Sequence, residues 1–470
     1  MSGSVVNTIQ RQGKDNIIGK LREKSEQESI KRISSQDLKR FFDPQGYLSQ
    51  QLRNFEYRKQ QYEMADSVRK AFNQNSFLLA EAGTGIGKSL AYLIPALLWT
   101  IENPQSKVVI STNTKNLQDQ LFSHDLPILQ KIPSLPFLAI LLKGRANYIC
   151  QRAWEDIVEN PTILTDQERK QLLPLIIWIQ ETVTGDIEEH SGFSRNWNKS
   201  LWRRLSCERG DCNGGNCRFE TTCFLKRVRK LTPYADIMVV NHSFLFSDIS
   251  AGNTVLKSYD SVIIDEAHNM EACATNSFKL ELNVWIFYDL IRIMYQDIPT
   301  KTGLLYVIQK KVKQVIQNKK DQATLKRITA DLTGKVRTLG EKSQHFFHQL
   351  QKQHQPKTPA SRQYWQKRFT GKEQLFCHLD HDAEQLGNDL EQLNKDFIHL
   401  GRVLEDMACN QETEYYKWLR DLEFVLSQLD ELEKLLHHFI QADYRENIIW
   451  SILPKSQKQK DISLYSVPLD

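Results

Sequence analysis

A glycine-rich turn between an apolar run and an apolar helical pattern constrains this chain more than any other feature. Residues 77–80 are apolar, glycines alternate with other residues over 83–87, and the helical pattern begins at Lys88. Glycines allow backbone N–H groups to converge, because a Cβ would obstruct such a turn. The order predicts a strand, a loop and a helix, and therefore an α/β fold whose loop and helix N-terminus bind an anion.

This loop has the composition of a nucleotide phosphate-binding loop. Lys88 would reach the β- and γ-phosphates of ATP, and the Ser89 hydroxyl would hold Mg²⁺. Ala82 stands where the consensus sequence of the motif has glycine. The loop residues that we predict to bind the nucleotide are Ala82, Gly83, Thr84, Gly85, Ile86, Gly87, Lys88 and Ser89. The alternative is a turn that only joins a strand to a helix.

Two carboxylates follow a second apolar strand, residues 262–264. Asp265 would share the Mg²⁺ with Ser89, and Glu266 would orient and deprotonate the attacking water. The alternative is a helix start at which acidic residues are favoured by the helix dipole. The predicted catalytic residues are Lys88, Asp265, Glu266 and His268.

Periodicity predicts the surrounding architecture. Further apolar, β-branched runs lie at 107–112, 138–142 and 237–240, and with 262–264 they predict a parallel sheet covered by helices. From about 274 to 442 leucine-rich helical patterns dominate. The seams 386–407 and 422–439 predict an antiparallel helical hairpin, with a dimerising coiled coil as the alternative. Strand-like residues at 446–450 and 463–467 predict a return to the parallel sheet.

Composition narrows the class of protein and its cellular compartment. A quarter of the residues are charged and 40% are apolar, which is an ordinary globular balance. The longest apolar run, 90–101, is short and contains Pro95, and no charged-then-apolar leader opens the chain. We therefore expect a cytoplasmic protein with no membrane partner. Residues 199–230 hold nine basic and three acidic side chains, which suits a polyanion.

Cysteine usage indicates a metal or cluster. In such a compartment the eight cysteines are not expected to form disulfides. Three are scattered, whereas four of the other five fall within seventeen positions. These five are Cys150, Cys207, Cys212, Cys217 and Cys223.

Together these motifs resemble the ATP-binding half of the DinG/XPD type of superfamily 2 DNA helicases. Residues 82–89 resemble motif I of that family, and 265–268 resemble motif II. Residues 111–121 are similar to motif Ia, which contacts the DNA backbone. Arg58 and Gln61 resemble the motif that reads the adenine ring.

The resemblance implies a [4Fe–4S] cluster held by four thiolates, which is the number such a cluster requires. The implied ligands are Cys150, Cys212, Cys217 and Cys223, with Cys207 as a fifth thiol of undefined role. A zinc site built from four of these thiolates is the alternative. Basic residues around the cluster would line a channel for single-stranded DNA, and the side chains available for stacking on its bases are Tyr148, Trp202 and Phe219.

The implied fold class is α/β, with a RecA-like P-loop parallel sheet, an inserted iron–sulfur domain and an inserted helical, arch-like domain. The implied boundaries are a flexible leader over 1–35, the RecA-like lobe over 36–142 and 233–273, the iron–sulfur domain over 143–232, the helical insertion over 274–443, and a return to the lobe over 444–470.

The implied function is an ATP-dependent DNA helicase that translocates 5′→3′ on single-stranded DNA, with ATP, Mg²⁺ and the cluster as cofactors. The family's second RecA-like lobe, which carries motif III and an arginine-bearing motif VI, is not found in these residues. We therefore expect a fragment, a truncated product or half of a split enzyme, with feeble hydrolysis unless another chain supplies the second lobe. The alternatives are a non-catalytic nucleotide- and nucleic-acid-binding module and an RNA-directed helicase.

Overall fold

The computed structural model divides into two compact units between Ser277 and Phe278. The residues that it describes are 30–53, 55–83, 85–159, 166–190, 199–208, 217–297, 301–354, 364–376, 378–407, 409, 412–454 and 461–469. Predicted site residues Thr84 and Cys212 lie outside this set. No helix in the described part is long and apolar enough to cross a lipid bilayer.

The first unit consists of helices around a small sheet. Its helices are α1 Ser35–Phe42, α2 Tyr47–Gln51, α3 Lys59–Gln74, α4 Lys88–Glu102, α5 Lys115–Gln120, α6 Leu126–Gln130, α7 Gln151–Glu159, α8 Asp166–Glu181, α9 Lys199–Leu205, α10 Phe224–Leu231, α11 His242–Ser250 and α12 Met270–Phe278. Every residue of α4 from Ala91 to Thr100 is buried. A helix that is apolar on all sides belongs in a core, so α4 is the central helix of this unit.

The sheet of this unit is parallel throughout, as predicted. Its strands are β1 Val108–Thr112, β2 Ala139–Leu141, β3 Ile237–Asn241 and β4 Ser261–Ile264, in the spatial order β2-β3-β1-β4. Val108 is in register with both Ile237 and Ser261. The carboxyl ends of β1, β3 and β4 therefore meet at one edge, which is where α/β folds place their ligands.

The strand predicted over 77–80 is wrong. This stretch has no regular structure, and the side chains of Phe77 and Leu79 are 109% and 94% exposed. Strand β4 pairs with β1 alone among the described strands, and Val262 is 38% exposed. Composition predicted the extended preference of these apolar residues, but a strand also needs a hydrogen-bonding partner, which local sequence does not specify.

The second unit contains long helices. They are α13 Val284–Met294, α14 Leu304–Val315, α15 Lys319–His354, α16 Lys372–Phe376, α17 Asp380–Glu405 and α18 Glu412–Gln441. A Cβ placed at Gly401 would lie 3.1 Å from Leu422, and one at Gly387 would lie 3.9 Å from His437. These two pairs show that α17 and α18 run antiparallel, so the predicted helical hairpin is confirmed.

The predicted return of residues 444–470 to the parallel sheet is wrong. Strands β5 Leu280–Asn283, β6 Tyr364–Phe369, β7 Asn447–Pro454 and β8 Ser463–Pro468 form a separate antiparallel sheet within the second unit, in the order β5-β8-β7-β6. The rings of Trp450 and Tyr465 stack across β7 and β8 with centroids 5.4 Å apart. Ile449 and Leu464 are fully buried against the helices of this unit. The sequence correctly predicted that β7 and β8 are strands, but they pair with each other and with β6 and β5, not with the parallel sheet.

Candidate nucleotide and metal site

The glycine-rich loop and the acidic turn after β4 meet in the first unit. Gly85 and Gly87 have φ values of +81° and +86°, which glycine adopts without strain. Gly87 caps α4, so Lys88 begins that helix. The Lys88 ammonium lies 3.2 Å from Glu266 Oε1, although 178 residues separate them in sequence. The predicted convergence of these two residues is therefore observed in the fold.

Asp265 is held through both of its carboxylate oxygens. Oδ1 accepts the backbone N–H of Glu266 at 3.0 Å, and Oδ2 accepts the Tyr92 hydroxyl at 3.1 Å. Burial, and then the charge of Asp265, raises the pKa of Tyr92 well above its ordinary value, so the phenol remains a neutral donor. The Ser89 hydroxyl is near enough to the phenol to oppose this rise in the pKa of Tyr92. Tyr92 thus contacts one of the two residues predicted to hold Mg²⁺ and lies near the other.

Glu266 occupies an unusual backbone conformation. Its φ of +56° and ψ of +45° are left-handed, which costs a non-glycine residue of order 1–3 kcal/mol. The carboxylate reaches Lys88, and His268 Nδ1 lies 3.6 Å from its second oxygen. The His268 side chain is 72% exposed, so it adds little to the geometry of this pair. Strain of this kind at a turn that presents a carboxylate is typical of functional sites.

Arg58 and Gln61 contact the loop from the start of α3. Gln61 Nε2 donates to Gly87 O at 2.9 Å, and the Arg58 guanidinium donates to Gly85 O. Gln61 is 5% exposed. Both side chains therefore brace the loop backbone, while their predicted contact with an adenine ring remains a prediction.

One buried residue of this site was not singled out by the sequence reasoning. Tyr92 could have been found from its spacing, since a residue three positions after Ser89 shares its helix face. His242 is fully buried at the start of α11, and its Nδ1 lies 2.7 Å from Ser111 Oγ at the end of β1. Burial lowers the pKa of His242, while the nearby backbone of Glu266 and Asp265 opposes that shift. The contact of His242 with Ser111 could not be predicted from local sequence, because the two residues are 131 positions apart.

Three of the cysteines lie together. The Cys207 thiol is 6% exposed, donates to Ile149 O at 3.5 Å and lies beside the thiols of Cys150 and Cys223. The interaction with Cys207 lowers the pKa of Cys223 to about 6, whereas the pKa of Cys207 itself is raised by its two thiol neighbours and by burial. Within the described residues, no group of three or more His, Cys, Asp or Glu side chains could hold a metal ion as arranged. The thiol grouping has the soft donor chemistry of an iron–sulfur or zinc site, and it includes the cysteine whose role was left undefined.

Two of the three predicted stacking residues are unavailable. Tyr148 and Trp202 are 5% and 2% exposed, and both belong to the apolar core around the cysteines. The Trp202 indole donates to Ala146 O at 2.6 Å. Aromatic composition alone does not separate core rings from surface rings. Phe219 is half-buried beneath the Arg218 guanidinium, 5.0 Å from the ring centroid, and it remains a candidate.

A buried ammonium joins the segment after β2 to two other segments. Lys143 Nζ lies 2.8 Å from Asp119, 2.7 Å from Asp186 and 2.9 Å from Glu188, and its side chain is only 3% exposed. Burial opposes the charge, but the carboxylates outweigh it and raise the pKa of Lys143. Lys115 extends the network to Glu188 at 2.6 Å. Helix α5 is therefore tied by charge to the region that carries the cysteines.

Comparisons with known proteins find similar helicase sequences. The sequence pattern of the DEAD/DEAH box helicases matches residues 59–164, and the pattern named DEAD_2 matches residues 215–285. The chain is 34% identical over 262 residues to the ATP-dependent DNA helicase YoaA of Haemophilus influenzae, which covers 54% of this chain and 40% of that protein. It is 26% identical over 444 residues to the 3'-5' exonuclease DinG of Bacillus subtilis, which covers 90% of this chain and 44% of that protein.

A third relative and a solved structure complete the comparison. The ATP-dependent helicase DinG of Mycobacterium tuberculosis is 34% identical over 246 residues, covering 48% of this chain and 36% of that protein. A solved structure titled XPD_Helicase covers 88% of this chain and 54% of its own, at 15% identity and a TM-score of 0.37, which is too low to support an argument. The aligned part of this chain covers 36–44% of the length of these sequence relatives. These patterns and relatives show that the chain is similar to DEAD/DEAH box helicases and to the YoaA and DinG proteins over the residues matched.

Proposed function

We propose that this chain is the ATP-binding half of a DinG-type, ATP-dependent DNA helicase that moves 5′→3′ on single-stranded DNA. The observation that carries the proposal is the convergence of Lys88, Ser89, Asp265 and Glu266 at the carboxyl edge of one parallel sheet. Direction of movement rests on the family resemblance alone.

The proposed chemistry follows from these positions. The loop N–H groups and the start of α4 would bind the triphosphate, and Lys88 would neutralise its terminal charge. Mg²⁺, held by Ser89 and Asp265, would supply charge stabilisation at the transferred phosphoryl group. Lys88 must leave Glu266 to reach a phosphate, which frees that carboxylate to orient and deprotonate water. Nucleotide binding would in this way prepare the general base.

Replacing Lys88 with alanine tests the nucleotide site. We expect Lys88→Ala to weaken ATP binding by on the order of 10- to 100-fold, because a charge-assisted contact worth roughly 1.5–3 kcal/mol is lost. Calorimetric titration with a non-hydrolysable ATP analogue measures this. Lys59→Ala is the matched control, since Lys59 is 77% exposed and pairs with Glu63 on the same helix. Equal affinity of Lys88→Ala and the unaltered chain would contradict the proposal.

We further propose that Cys150, Cys212, Cys217 and Cys223 hold a [4Fe–4S] cluster. The donor chemistry fits, since Cys150 and Cys223 lie in one thiol group and Cys223 has a lowered pKa, which favours the thiolate that a cluster needs. Cys207 lies between these two thiols, so it competes with Cys212 for a place in the ligand set.

Cysteine variants test the cluster. We expect anaerobically purified protein to be brown, with about four irons per chain, and Cys217→Ser and Cys223→Ser to lose that colour and iron. Cys409→Ser, in the second unit, serves as the control. Comparing Cys207→Ser with Cys212→Ser identifies the fourth ligand by iron content. Stoichiometric zinc without iron would establish the zinc alternative instead.

The proposed partners are single-stranded DNA and a second RecA-like lobe. The basic stretch 199–230 and the exposed Arg218 favour a nucleic acid backbone. A second lobe is supported by the exposed edge of β4 and by residues 77–81, which are in none of the described strands. Apolar strand edges are normally covered by another element. Binding of single-stranded DNA and RNA of one sequence, measured side by side, separates the DNA helicase from the RNA-directed alternative.

A further inference from the structure

Tyr92 lies beside the two side chains that are predicted to hold Mg²⁺. Its ring is 3% exposed within α4, one helical turn after Ser89. The phenol hydroxyl donates to Asp265 Oδ2 at 3.1 Å. A phenol has one hydrogen to donate, so this bond uses the whole donor capacity of Tyr92.

The carboxylate of Asp265 has little remaining freedom. Its Oδ1 is fixed by the backbone of Glu266 at 3.0 Å, so the hydroxyl of Tyr92 fixes the other end. Each oxygen still has a free lone pair direction, because a carboxylate offers about four acceptor positions. The Asp265 carboxylate is therefore held in one orientation but can still accept a further contact at each oxygen.

We propose that Tyr92 is a positioning residue that holds the Asp265 carboxylate towards the Ser89 hydroxyl, so that the pair is set to take a divalent cation together with a nucleotide. This inference rests on the proposed function and adds a residue that affects cation binding only through Asp265. Groups that orient metal ligands in this way change metal affinity by about 10- to 100-fold when they are removed.

The Tyr92→Phe variant isolates the hydroxyl, because phenylalanine keeps the buried ring. Mg²⁺ is expected to increase the affinity of the unaltered chain for a non-hydrolysable ATP analogue. In Tyr92→Phe we expect this increase to be about 10- to 100-fold smaller. Affinity in EDTA should stay unchanged, since the phosphate contacts of the loop and Lys88 remain. Calorimetry of the 470-residue chain with and without Mg²⁺ measures both quantities. Tyr47→Phe is the matched control, because that ring packs on Phe41, in the same core but away from Asp265.

A second variant keeps the test decisive. Asp265→Asn should show the same loss of the Mg²⁺ effect, and adding Tyr92→Phe to it should cause no further loss, because the tyrosine acts only through Asp265. An equal loss of affinity with and without Mg²⁺ would mean that Tyr92 is merely structural, and it would overturn the inference. An unchanged Mg²⁺ effect in Tyr92→Phe would overturn it as well, with the nucleotide site intact. If the unaltered chain itself gains nothing from Mg²⁺, the proposed function fails instead.

Discussion

Single-stranded-DNA-stimulated ATP hydrolysis is expected to rise by roughly three to five orders of magnitude when a second RecA-like lobe is added to this chain as a separate polypeptide. The reason is electrostatic. In the proposed site Lys88 would supply positive charge to the triphosphate from the first lobe, and the family resemblance implies that arginines of the second lobe would supply it from the other side. Arginines supplied across an ATP site stabilise the charge that develops on the transferred phosphoryl group. Phosphate release, measured with and without DNA, gives the ratio.

Two controls define this result. The same lobe with its motif VI arginine changed to alanine should bind this chain but fail to stimulate hydrolysis. The Lys88→Ala chain should remain inactive with the intact lobe. Fast hydrolysis by this chain alone, unaffected by the added lobe, would contradict the expectation and assign a complete site to these residues.

Loss of the Lys143 ammonium should destabilise the first unit by about 3–5 kcal/mol. Lys143 is the common partner of Asp119, Asp186 and Glu188, and its side chain is 3% exposed. In Lys143→Met the aliphatic stem is largely kept, but Asp186, which is 10% exposed, loses its counter-charge in a poorly solvated place, and Asp119 and Glu188 each lose a cationic partner. Urea unfolding followed by tryptophan fluorescence should show a midpoint shifted to lower concentration.

An exposed ion pair provides the comparison. Lys70 lies 2.8 Å from Asp66 but is 58% exposed, so Lys70→Met should change stability by less than about 1 kcal/mol. Asp186→Asn should recover part of the loss in Lys143→Met, because it removes one of the stranded charges. Similar small effects of Lys143→Met and Lys70→Met would show that the buried network adds nothing to stability.

The sequence predicted those parts of the fold that depend on local pattern. The heptad-like seams predicted α17 and α18, and the β-branched runs predicted β1 and β3, because burial imposes a period on apolar residues. Pairing partners were less predictable. Residues 77–80 and the strands β7 and β8 were recognised as extended or strand-like, yet their neighbours are decided by contacts that are distant in sequence.

The site shows the same division. Lys88 and Glu266 were predicted to meet, because a phosphate-binding loop and an acidic turn each carry their own motif. Tyr92 carries none, since its role arises from burial next to Asp265. Trp202 illustrates the opposite error. Its position among basic residues predicted an exposed ring that could stack on bases, but the ring is buried in the apolar core.

The uncovered border of β4 has a practical consequence for the isolated polypeptide. Val262 is 38% exposed on an open edge, and Phe77 and Leu79 are nearly as accessible as in an extended chain. Such a border can recruit strands from neighbouring copies, so association would grow with protein concentration. Measurements on this chain by itself therefore belong at low micromolar concentration, with dispersity monitored by light scattering.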